Sequence, residues 1–97
     1  MIKEINNDKN NFRSQIEAIL FASGDPIDIV KLSKFLKIGK KQCVDEINNL
    51  EKSYQENNAG LDLVYKNDKV QLVSNKDCGA VVAKFLNKQC KALINLL

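Results

Sequence analysis

General acid–base work and activated nucleophiles rest most often on histidine, and the 97-residue chain contains none. The remaining candidates for chemistry are the thiols Cys43, Cys78 and Cys90, the carboxylates Asp45, Glu46, Glu51 and Glu56, and a scatter of lysines. The carboxylates read as solvated positions on a helix, not as a pair converging in a cleft. No G-x-G-x-x-G, Walker-type or G-x-S-x-G segment occurs, and the glycines sit singly. Catalytic residues and a cofactor are therefore not expected. The cysteines are odd in number and widely spaced, each where a helical pattern wants a small apolar residue, so they read as reduced core thiols. Zinc would need a paired motif such as C-x-x-C, and a metal site is not expected either.

Binding chemistry is left. The net charge of +3, from 15 basic against 12 acidic residues, is too small to hold a polyanion by itself. Arg13 is the single arginine, whereas bidentate guanine reading is mostly arginine work. Lys37, Lys40, Lys41 and Lys66 are the candidate phosphate contacts of a nucleic-acid reading. Against it, the segment Lys40 to Glu56 holds four acidic and three basic side chains, and phosphates would be repelled. These lysines, with Lys69, equally describe a soluble surface and a wing tip protected from edge pairing. A protein-binding surface would show instead as apolar side chains left over once a core is assigned. Phe21 is one, lying about 180° around its helix from Phe12; it either packs under the Gly24-Asp25-Pro26 turn or serves an interface. Val30, Phe35 and Val44 flank apolar stripes, and Val64 and Val73 fall on the outer face of a hairpin.

The elements that would position these residues follow from periodicity. Residues 1–11 are polar without sustained period and are expected to form a loose tail. From Phe12, the residues Ile16, Ile19, Leu20 and Ser23 share a helical stripe that Gly24-Asp25-Pro26 ends. Asp28 is placed to cap a short helix with Ile29, Leu32, Ser33 and Leu36 on its inner face, ending near Lys37. A third helix, Lys40 to Glu56, carries the seam Cys43, Ile47, Leu50 and Tyr54. The period then changes to two, and a turn at Asn67-Asp68 sets Tyr65 opposite Val70, Leu63 opposite Leu72 and Leu61 opposite Ser74. A one-residue slip would mix the two faces, so this register is specified. Asp77 is expected to cap a last helix on which Cys78, Val81, Val82, Phe85, Leu86 and Leu93 share a stripe.

The expected fold is α+β, mainly helical: a winged helix-turn-helix of three helices, a two-stranded hairpin wing and a further C-terminal helix, spanning residues 12–97. Ala92 to Leu97 has no capping glycine and no polar tail, the pattern expected of a chain cut inside a continuing element. No apolar run approaches the roughly 20 residues of a spanning helix, and the first residues are too polar for a signal peptide, so a cytoplasmic location without a membrane partner is expected.

The run Ile16-Glu17-Ala18-Ile19-Leu20-Phe21-Ala22-Ser23-Gly24-Asp25-Pro26-Ile27 closely resembles the opening of the segregation and condensation protein B family, an I-E-A-hydrophobic-L-F-A-S-G-[ED]-P-[LI] segment. The likeness continues as pattern to residue 97, although Gly39-Lys40-Lys41-Gln42 stands where the family often has a serine cap and acidic residues. It implies an accessory subunit of the bacterial condensin-like complex for chromosome condensation and segregation. The implied partners are a structural-maintenance-of-chromosomes ATPase, a kleisin subunit and a second copy of the chain. A location with the nucleoid through the complex, no catalytic residues and a second winged-helix domain beyond residue 97 are also implied. Phe21, Val30, Val44, Val64 and Val73 are the expected residues of self-association or partner binding. The alternative is a DNA-binding winged-helix transcription regulator using Lys37, Lys40, Lys41 and Lys66; nucleic acid is otherwise expected to bind at most weakly.

Overall fold

The computed structural model describes residues 11–96, with side chains as far as Asn87. The order of elements is α1 (Phe12–Ser23), β1 (Ile27–Asp28), α2 (Ile29–Leu36), α3 (Lys40–Glu56), β2 (Leu61–Lys66), β3 (Lys69–Ser74), a 3-10 turn (Lys76–Cys78) and α4 (Gly79–Leu96). Three helices, a hairpin wing and a further helix make the expected winged helix. Of the expected tail, residues 1–10 lie outside the described residues, and Asn11 stands at the N-cap of α1.

The seam of α3 is where the other elements meet. Cys43, Ile47, Leu50 and Tyr54 are all buried, against Ile16 and Leu20 of α1, Ile29 and Leu32 of α2, and Leu63 and Val70 of the wing. Ser33 is buried too, its hydroxyl satisfied by donating to the Val30 carbonyl at 2.8 Å. Ser23 and Cys78, each expected on a stripe, are among those that fall outside this core. Ser23 is exposed because its hydroxyl pairs with the backbone of Asp25, and Cys78 is only half-buried in the 3-10 turn. Cys43 matches the expectation of a core thiol, whereas the side chain of Cys90 lies outside those described.

Local chemistry sets the element ends. Gly24 adopts φ 71° and its N–H donates to Leu20 O at 3.1 Å, closing α1 with a left-handed cap. Asp28 caps α2 by accepting from Lys31 N at 3.0 Å. The hairpin register runs from Leu61 opposite Ser74 to Lys66 opposite Lys69, as the alternation requires. The cap expected at Asp77 is displaced: Asn75 accepts from Asp77 N at 2.7 Å and opens a 3-10 turn, and α4 starts only at Gly79. Either short polar side chain satisfies an orphan N–H, and the one that ends the strand takes the role.

The hairpin is also one strand richer than expected. Ile27 and Asp28 pair antiparallel with Val70 and Lys69, giving the order β1-β3-β2. Pro26 favours extended backbone in the residue before it, and Ile29 N donates to Asp68 O at 2.8 Å, so the entry to α2 is tied to the wing turn.

The last helix differs most from expectation. From Ala80 to Asn87 every side chain is exposed, so Val81, Val82, Phe85 and Leu86 of the expected stripe are not part of the core, and the side chain of Leu93 lies outside those described.

A Gly24→Ala variant is expected to lose about 1 kcal/mol, the cost of a left-handed alanine, because a Cβ there would meet nothing within 4 Å. Urea unfolding with an unchanged slope checks this.

Candidate interaction surface

Alternation places the groove at the end of the wing. Leu61, Leu63 and Leu72 share the inner face of the hairpin, and where Leu63 enters the core, Leu61 and Leu72 run on past it. The outward side of α1 lies across from them, with Ser14, Ala18 and Phe21 about one turn apart. Between them is a groove of about 250 Å³ lined by Ser14, Glu17, Ala18, Phe21, Leu61 and Leu72. Phe21 is 75% exposed, so it stands at this groove and does not pack under the turn that follows its helix.

The floor of the groove is held by Glu17, whose carboxylate accepts from the Tyr54 hydroxyl at 2.5 Å and joins α1 to α3. Burial, and then the neighbouring Glu17 carboxylate, hold the Tyr54 phenol well above its usual range. On the wing, the Tyr65 hydroxyl lies 3.3 Å from Asn48 Oδ1, and burial with the Glu51 carboxylate pushes that phenol up to about 12.

A second apolar hollow of about 320 Å³ lies on the other flank of α1, lined by Ile19, Ile27, Lys31, Leu32 and Phe35. Phe35 is 74% exposed. It flanks its stripe as expected, but its hollow could not be foreseen because β1, which supplies Ile27, is too short to leave a period in the sequence.

The other expected interface residues are dispersed. Val64 and Val73 point to the face of the hairpin opposite Leu61 and Leu72, with Val64 open and Val73 half-buried. Val30 is half-buried on α2, and Val44 packs partly against the core. Of the five, only Phe21 lines either apolar hollow. The lysines are likewise open but spread out: Lys37 caps α2 at φ 61°, Lys40 and Lys41 begin α3, and Lys66 sits at the wing tip opposite Lys69. Lys41 is paired with Asp45 at 3.2 Å, an exposed i,i+4 contact of small energetic worth. Among the described residues no three potential metal ligands gather, and no helix is long and apolar enough to cross a membrane.

Comparison with known proteins follows the same outline. The family model described as segregation and condensation complex subunit ScpB matches residues 14–95. Segregation and condensation protein B of Caldanaerobacter subterraneus subsp. tengcongensis is 33% identical over 75 residues, covering 77% of this chain and 45% of that protein. The chain thus spans less than half the length of that relative. Among solved structures, a dimer of ScpB N-terminal domain complexed with ScpA peptide has a TM-score of 0.72 at 21% identity, covering 78% of this chain and 95% of that one. ScpB from Mycobacterium tuberculosis has a TM-score of 0.79 at 14% identity, covering 88% of this chain and 53% of that one.

The folded chain holds both phenol protons more tightly than an unfolded chain, whose tyrosines ionise near pH 10. Stability is therefore expected to be intact below about pH 10 and to fall as pH rises towards 12, where the unfolded state releases protons first. Tyrosinate absorbance should rise later in the native chain than in urea, and Tyr65→Phe should flatten the loss.

Proposed function

The chain belongs to the segregation and condensation protein B family, and on that premise we propose that it is a non-enzymatic accessory part of the bacterial condensin-like complex, this domain mediating self-association and partner binding. The observation that carries the reading is Phe21, a large apolar side chain three-quarters in water beside an apolar groove. A phenyl ring so placed costs the isolated domain hydration free energy and returns it on association, the property of an interface anchor. Val30, Val44, Val64 and Val73 contribute less in this reading, as flanking contacts that exclude water. The partners are a second copy of the chain, the kleisin subunit and, through the complex, the structural-maintenance-of-chromosomes ATPase. The work is done in the cytoplasm at the nucleoid.

The solved dimer of ScpB N-terminal domain with ScpA peptide supports this division of labour, since a fold of the same outline there meets both a copy of itself and a peptide. The charge pattern weighs in the same direction. Lys37, Lys40, Lys41 and Lys66 are too few and too separated to define a phosphate track, and the helix a winged-helix DNA reader would use is net acidic.

Sedimentation at micromolar concentration tests the reading. A self-associating chain is expected, with Phe21→Ser weakening association by at least about tenfold, the loss of one interface anchor. A strict monomer indifferent to Phe21→Ser would sink it. Steeply salt-dependent retention on duplex DNA, abolished by glutamate at Lys37, Lys40 and Lys41, would favour the regulator instead.

A further inference from the structure

Helix α4 carries an apolar stripe with nothing against it among the described residues. Val81, Val82, Phe85 and Leu86 lie at i, i+1, i+4 and i+5, on one side of the helix, and are 64%, 37%, 59% and 52% exposed. Together they leave about 400 Å² of apolar surface in water, within the range of the largest patch on a typical monomer, where such patches often serve binding.

The root of this helix is held firmly. Asn75 N donates to Gly60 O at 2.7 Å, Asn75 Oδ1 accepts from Asp77 N at 2.7 Å, and Cys78 N donates to Asn75 O at 2.9 Å. These bonds fix the departure of α4 beside Leu61, at one end of the groove between α1 and the wing. The helix nevertheless does not lie in that groove, where Phe21 stays open and Leu61 is partly so. Each copy therefore presents an uncovered apolar helix next to an unfilled apolar groove.

The two surfaces match in charge as well as polarity. The segment Gly79–Leu96 contains Lys84, Lys88 and Lys91 and no acidic residue. The groove has one charged lining residue, Glu17. A second copy thus supplies the complement to each surface, and it does so twice.

We propose that two copies of the chain exchange α4, the stripe Val81, Val82, Phe85 and Leu86 of each seating in the groove of Ser14, Glu17, Ala18, Phe21, Leu61 and Leu72 of the other. Such an interface closes on itself with two-fold symmetry, because each partner gives one helix and one groove. A stripe of about 400 Å² and a comparable area of groove from each copy reach the about 800 Å² per partner of a standard stable interface. Lys84 approaches the Glu17 carboxylate as the helix docks. The inference rests on the self-association proposed above and names what that association buries.

Two substitutions on exposed positions separate the possibilities. Phe85→Asp spoils the helix and Phe21→Asp spoils the groove; both should leave the thermal midpoint of the monomer unchanged. In sedimentation of the 97-residue chain each variant alone is expected to dimerise at least about thirtyfold more weakly than the unsubstituted chain, the loss of a buried aromatic anchor. An equimolar mixture of the two is expected to recover dimer at concentrations where each alone is monomeric, since the mixed pair retains one intact helix-in-groove contact. A Phe85→Asp chain that dimerises as tightly as the original would overturn the exchange while leaving self-association standing, as would a mixture that stays monomeric. An original chain that remains monomeric at high micromolar concentration would overturn self-association itself, and the exchange with it.

Discussion

Four side chains on one face of α3, Cys43, Ile47, Leu50 and Tyr54, set the terms for the rest of the domain. They occupy a narrow seam on a helix whose other positions are mostly charged or amide, so α3 can be satisfied only by being covered along that line and left wet elsewhere. Helix α1 covers it with Ile16 and Leu20, α2 with Ile29 and Leu32, and the wing with Leu63 and Val70. With so few residues to spend, a 97-residue chain closes this one core and no more. The Glu17–Tyr54 hydrogen bond then fixes where α1 lies along the seam, and with it the position of Phe21. The outer groove is thus a consequence of how the inner seam is covered.

A core so small leaves apolar side chains unplaced. Phe21, Phe35 and the stripe of α4 are outside it by geometry, since the seam of α3 is already fully lined. The domain accepts the hydration cost of that surface, which association with a partner would recover. Membership in a family of segregation and condensation subunits agrees with that physical picture, and neither depends on the other.

Much of this is legible in the sequence. The seam of α3 and the hairpin register are, because period 3.6 and period 2 each allow one sorting of these residues and a slip would mix faces. Asp28 and Gly24 are, because cap chemistry is local. Strand β1 is not: two residues cannot display a period, and their pairing with Val70 and Lys69 is a tertiary event. The choice of Asn75 over Asp77 as a cap is not, since both side chains carry an oxygen able to accept from an orphan N–H. The stripe of α4 is recognisable as apolar, but its place outside the core is not, because periodicity marks an apolar face and not what covers it. Of the five interface residues expected, Phe21 alone lines the groove, while Val44 turns inward and Val64 and Val73 fall on the far side of the wing.

Completion of α4 by another copy of the chain would be felt most directly at backbone amides that lie in no core. Amide hydrogen exchange across Val81 to Leu86, followed from low to high micromolar protein, measures it at the site. Protection that rises in step with the dimer fraction, together with new protection in α1 around Ala18 and Phe21, is the predicted result. Protection that is independent of concentration in both segments would contradict it.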